Sequence, residues 1–234
     1  MNAKSIVHCV IFLLAVFGAD CDAAFGEPAT QLKWETLIPS TPPLENFLEA
    51  VPPDQQEALS NLDYWNSFPE GDVDKEVAYQ REETKKGVDA DRDKFAKQGV
   101  DLDALYQHYL AWVEEIDRRG KLTDKELDGK RVAIAGYLLP LDFNPKGTSE
   151  FLLVPYVGAC IHVPPPPPNQ VIYVRSSSPY GSTDLFEGVL ITGTMKVQSA
   201  KKDLSFIDGS SEVDSGYVLE GEKIEPYQYE EGGQ

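Results

Sequence analysis

Apolar residues recur at two different periods along the chain, and the change between them divides it. In DLDALYQHYLAWVEEIDRR, Asp101 to Arg119, the residues Leu102, Leu105, Tyr106, Tyr109, Trp112, Val113 and Ile116 return every three or four positions. That spacing predicts a helix with one apolar face. Asp101 and Asp103 near its start, Arg118 and Arg119 near its end, and Gly120 after it suit the helix dipole and a glycine stop. The face needs a partner, and the sheet predicted downstream is the expected one. Upstream, Leu44, Phe47 and Leu48 make one apolar turn before Pro52-Pro53, and Asp54 is the expected cap of a short helix, 55–62. Residues 72–99 are highly charged with few large apolar side chains, which predicts an exposed helix broken near Gly87 or a linker.

From Gly129 the period shortens to two. Val132, Ile134 and Leu138 alternate with smaller or polar residues. Strands are predicted over Arg131–Leu141, Phe151–Val157, Gln170–Arg175, Phe186–Met195 and Tyr217–Pro226, with a turn at Asn144-Pro145-Lys146-Gly147. Five short strands after a helical region predict an α+β protein: an N-terminal extended arm and helices packed on a small five-stranded barrel. The oligonucleotide/oligosaccharide-binding (OB-like) topology is the first expectation and a half-open sandwich the second. The expected divisions are 1–24, a signal peptide; 25–43, the extended arm with Trp34, Leu37 and Ile38 as anchors; 44–128, the helical region; 129–226, the barrel; and 227–234, an acidic tail.

Charge narrows the possible partners. The chain has 234 residues and a formal net charge of −18. Phosphates are repelled by such a surface, so no nucleic-acid partner is expected, nor binding to an anionic membrane surface. The signal-peptide reading rests on Lys4, the apolar run Ile6–Phe17, and small residues up to Ala23 and Ala24. It predicts an exported, periplasmic protein. Membrane association is expected only if Cys21 carries a lipid, and Gly18-Ala19-Asp20 before it is a poor lipid-attachment signal. Cleavage removes Cys9 and Cys21 and leaves Cys160 as the one thiol, so no internal disulfide is expected.

That thiol lies in the most unusual stretch of the chain, FLLVPYVGACIHVPPPPPNQVIYVR, Phe151 to Arg175. Two apolar runs flank a loop containing Cys160, His162 and the prolines Pro164, Pro165, Pro166, Pro167 and Pro168, with Asn169 directly after them. A proline run favours a stiff polyproline segment and cannot continue a sheet ladder. Residues two apart in extended chain point to one side, so Cys160 and His162 can share a cation. A thiolate and a neutral imidazole are preferred zinc ligands and also suit copper. Two ligands do not complete a shell; Asp142, Glu150, Asp184, Glu187 and His108 are the candidates for the rest. The plainer alternatives are a small apolar Cys at a strand end, a loop His bonded to backbone, and a surface or boundary His108. For the prolines, a brace that holds the loop rigid is preferred over a docking rod, with Tyr156, Tyr173 and Tyr180 as possible stacking partners or simply core.

The pieces WETLIP (Trp34–Pro39), GKRVAIAGYLLPLDF (Gly129–Phe143), FLLVPYVGACIHVPPPPPNQVIYV (Phe151–Val174) and GVLITGTM (Gly188–Met195) resemble the domain-of-unknown-function 3299 family, exported proteins of Gram-negative bacteria. The resemblance spans most of Trp34–Pro226, apart from the charged segment 72–99. Family members encoded near zinc-responsive genes and a MacB-type ABC transporter imply a role in periplasmic metal handling. The resemblance marks Cys160, His162 and Pro164–Pro168 as the functional motif.

The sequence thus predicts a non-catalytic binding or accessory protein handling zinc or copper through Cys160 and His162. The alternative is a metal-free module that docks an ABC-type transporter or another envelope protein through the proline loop. A thiol-dependent enzyme comes third. The chain has no G-x-S-x-G elbow and no HExxH.

Overall fold

The structure is a computed structural model that describes residues 28–141, 147–159, 165–181, 186–206 and 209–227. The described residues form eight strands: β1 (Thr30–Leu32), β2 (Arg131–Pro140), β3 (Thr148–Val154), β4 (Ile172–Tyr180), β5 (Glu187–Lys196), β6 (Ala200–Phe206), β7 (Gly209–Ser215) and β8 (Tyr217–Pro226). Among them, three helices precede β2: α1 (Pro53–Asn66), α2 (Lys75–Ala96) and α3 (Leu102–Gly120). Among the described residues no helix is long and apolar enough to cross a membrane. The expected signal segment 1–24, the turn at 144–146 and the tail from 228 onward lie outside the described residues.

The barrel is closed. Its strands run in the order β2-β3-β4-β8-β5, and β5 returns to pair with β2 from Thr194 opposite Arg131 to Glu187 opposite Leu138. All these pairings are antiparallel except β4 with β8. This is the Greek-key order of an OB-like barrel. Inward-facing residues fill it, among them Val132, Ile134, Phe151, Val174, Ile191 and Leu219. The ladder of β5 and β8 shifts register between Thr192 and Gly193. A side chain at Gly193 would run into the carbonyl oxygen of Glu220, so the close approach of the two strands requires glycine there.

The arm belongs to this barrel. β1 adds in parallel to β2, with Thr30 opposite Val132. Trp34 donates its indole N–H to the carbonyl of Ala135 at 2.8 Å, and Leu37 is fully buried in the barrel core. Tyr217 fixes the end of the arm: its hydroxyl donates to the carbonyl of Leu37 and accepts from the amide of Asp124, each at 2.6 Å.

The helices depart from expectation in three ways. The charged segment forms one continuous helix, α2, passing through Gly87, because Val88 and Phe95 sit seven residues apart on one face and are both fully buried. The apolar face of α3 packs mainly on α1 and α2, not on the sheet. Leu102 and Tyr106 join Leu59, Leu62, Val88 and Phe95 in a separate helical core. α1 is also longer than predicted, and its N-cap is Pro52, with Asp54 inside the first turn.

β6 and β7 form a hairpin of their own between β5 and β8. Leu204 and Val213 turn inward from it and bury against Leu152, Val154, Tyr173 and Val218 on the outer face of the barrel. In OB folds that side of the second and third strands is the usual ligand face. Here the chain covers it with its own hairpin. Lys202 strengthens the cover, with its ammonium 4.1 Å from the centre of the Tyr173 ring and 3.3 Å from the Glu150 carboxylate.

Candidate functional site: the loop between β3 and β4

The loop leaves β3 at Pro155 and rejoins the barrel at Ile172. Tyr156 and Val157 are exposed, at 46% and 61%. Two residues on, Ala159 is fully buried in the cluster beneath the hairpin. Cys160, His162 and Pro164 lie outside the described residues. The chain is described again from Pro165. Pro165 and Pro167 are exposed while Pro166 is buried, so the run lies along a surface rather than projecting from it.

The prolines lead into a three-way junction. Pro168–Gln170 form a 3-10 turn, and each of its three residues holds a different part of the molecule. The carbonyl of Pro168 accepts from the amide of Gly216, at the base of the hairpin, at 2.6 Å. The side-chain amide of Asn169 donates to the carbonyls of Arg119 and Leu122, at 2.9 and 3.0 Å, and so closes the C-terminal end of α3. The side-chain amide of Gln170 donates to the carbonyl of Trp34 in the arm at 3.0 Å. Gly120, the last residue of α3, lies flat against the prolines: a Cβ there would come within 2.7 Å of Cβ of Pro167. Pro167 therefore packs on the end of α3 in space that only glycine leaves open.

Asn169 is 2% exposed. Its Oδ1 is buried and meets no hydrogen-bond donor among the described residues. The side chain works here through its two N–H groups, as a cap for a neighbouring helix.

The other candidate ligands are spread over the fold. Glu150 is engaged with Tyr173 and Lys202, and these contacts hold its carboxyl below the ordinary range. Glu187 accepts from the hydroxyl of Tyr180 at 2.7 Å; burial, then Glu187, pushes that phenol up to about 12. His108 is exposed on α3. Asp142 and Asp184 lie outside the described residues. Among the described residues no three His, Cys, Asp or Glu side chains gather as a metal would require. Of the tyrosines beside the prolines in sequence, Tyr173 lies beneath Lys202, Tyr180 packs its ring edge on Phe151 and Tyr156 is exposed.

Sequence reasoning missed the hairpin and its Lys202. Leu204, Phe206, Ile207 and Val213 are the few large apolar residues of a polar stretch, with Asp208-Gly209 as the one turn signal.

Fold and loop together define an α+β protein in which an OB-like barrel, an N-terminal arm and a three-helix unit meet at a proline-rich junction. The chain belongs to the DUF3299 family, proteins of unknown function, whose family model matches residues 34–226. A crystal structure of a DUF3299 family protein from Pseudomonas aeruginosa is similar to it at 26% sequence identity, over 87% of this chain and 99% of that one, with a TM-score of 0.45. No curated protein matches the chain.

Proposed function

We propose that this protein is an exported, non-catalytic accessory protein of the cell envelope that presents Cys160 and His162 to a transition metal, zinc or copper. The observation that carries this reading is the anchoring of the loop at both ends. Ala159, immediately before Cys160, is buried in the cluster under the hairpin. On the far side, Pro168, Asn169 and Gln170 are tied to the hairpin, α3 and the arm. With both ends of the segment fixed, little chain is left to order when a metal binds, which lowers the cost of binding. Thiolate and imidazole suit zinc and copper, and two protein ligands leave positions for a donor or acceptor protein, as transfer requires.

Native mass spectrometry of protein exported to a periplasm and purified without chelator tests this. One bound zinc or copper is expected, absent from both Cys160→Ser and His162→Ala. Equal metal content in wild type and both variants would overturn the reading.

Tyr156 and Val157 favour a second reading. Two exposed apolar side chains beside the prolines suit a contact with an ABC-type transporter or another envelope protein, without metal. A photocrosslinker at position 157 then captures that membrane partner in cells, and Tyr156→Ser in the same chain reduces the capture. A crosslinked yield unaffected by Tyr156→Ser would count against docking here.

A further inference from the structure

The amphipathic face of α3 is only half used. Its first two turns are covered: Leu102 and Tyr106 are buried in the helical core, and Leu105 and Tyr109 pack against it. The same stripe continues through Leu110, Val113 and Ile116, which recur at three-residue steps. These three remain 36%, 38% and 44% exposed. The arm runs beside them without covering them. The Pro42 carbonyl of the arm accepts from Arg119 at 2.6 Å, and just after the arm the Glu45 carbonyl accepts from the indole N–H of Trp112 at 3.1 Å, which leaves exposed Leu44 alongside.

We infer that the C-terminal half of α3 is a docking face for an amphipathic helix of a partner protein with lysine or arginine along one edge. Charge complementarity selects this occupant. Glu114 and Asp117 come four and seven residues after Leu110, so they form the edge of the apolar stripe next to it. Asp117 is ion-paired with Lys121 at 2.6 Å, and Glu114 makes no ion pair among the described residues, so Glu114, Asp117 and Lys121 together leave this edge with one unmatched negative charge. A second copy of this chain fits badly. In a two-fold antiparallel pairing about Val113 the acidic edge meets itself, and each chain brings a net charge of −18. A helix in a groove is a common recognition mode, anchored by residues at the spacing found here. This face lies on the helical unit and stands independently of any metal at the β3–β4 loop.

The test uses the full mature chain and two fluorescent peptides: an amphipathic helix of leucine and lysine, and the same helix with glutamate at every lysine. Anisotropy is expected to show binding of the lysine peptide alone. Val113→Ser with Ile116→Ser weakens it by about ten-fold or more, the loss expected for removing central apolar anchors. Glu114→Lys with Asp117→Lys reverses the preference toward the glutamate peptide, which a change of four charges on so acidic a chain does not achieve by itself. Circular dichroism melts of both double variants match the wild type. Unchanged lysine-peptide binding in the serine variant overturns the inference. So does a dimer of the wild-type chain that the serine variant abolishes, which would make a second copy the occupant.

Discussion

The side-chain amide of Asn169 donates to the carbonyl oxygen of Arg119 at 2.9 Å, tying a barrel loop to the last turn of a helix fifty residues earlier. Helix C-termini leave carbonyls without partners. Here the barrel loop adds a donor to the Arg119 carbonyl, which also accepts from the amide of Leu122 at 3.1 Å, and supplies one to the carbonyl of Leu122.

Asn169→Ala removes the donor from both Arg119 and Leu122. The Arg119 carbonyl keeps the amide of Leu122 at 3.1 Å, while the partly buried Leu122 carbonyl loses its donor, so urea unfolding is expected to show a loss of about 1–3 kcal/mol. Asn169→Asp preserves the size and sets a carboxylate against two carbonyl oxygens. It is expected to be worse than alanine at neutral pH, with the gap closing in acid as the carboxyl takes up a proton and regains a donor. Equal stability of the aspartate variant and wild type would remove the capping role.

Tyr217→Phe removes one oxygen from the barrel core. Its ring stays, but the carbonyl of Leu37 and the amide of Asp124 both lose their partner. A loss of about 1–3 kcal/mol is expected. Hydrogen exchange at Asp124 is expected to quicken more than exchange in the middle of α2. Uniform acceleration across the chain would mean that the hydroxyl stabilises nothing local.

Glu115 controls the grip of α3 on the arm. Its carboxylate accepts from Arg118 and Arg119, and their hydrogen bonds pull its pKa from 4.5 to about 2. Arg119, held this way, reaches the carbonyl of Pro42. A depressed carboxylate pKa stabilises the fold above the unfolded value and loses that contribution as pH falls through the folded one. The advantage of wild type over Glu115→Gln is therefore expected to be complete above about pH 4.5 and to vanish as pH approaches about 2. A carbon-detected NMR titration of Glu115 checks the pKa directly, and a midpoint near 4.5 would refute the coupling.

Much of the barrel is legible in the sequence because its strands are short, apolar and separated by turn residues. Tyr217–Pro226 has the predicted limits, and the other four strands match theirs within a few residues at most ends. α3 is legible from its periodicity, but its partner is not. A periodic face says that something covers it, not what. Of its two partners, α1 and α2, the second shows only Val88 and Phe95 as buried residues along twenty-two positions, so charge hides it. β1 is too short, and β6 and β7 too polar, to carry a pattern. Composition marks the loop and places Asn169 in it. The task of that residue is invisible in sequence, because the carbonyls it satisfies belong to distant residues and depend on how α3 ends against Pro167.

The pairing of Tyr217 with Leu37 spans 180 residues and makes the last barrel strand part of what seats the arm. During synthesis the arm emerges early and finds neither β2, its ladder partner, nor the hydroxyl that secures its end. The helical unit contains its own core and needs neither, whereas the attachment of the arm is complete only once β8 has been made. Contacts of such long span make closure slow. A chain cut short before Tyr217 would lose the barrel seam and, with it, the attachment of residues at the opposite end.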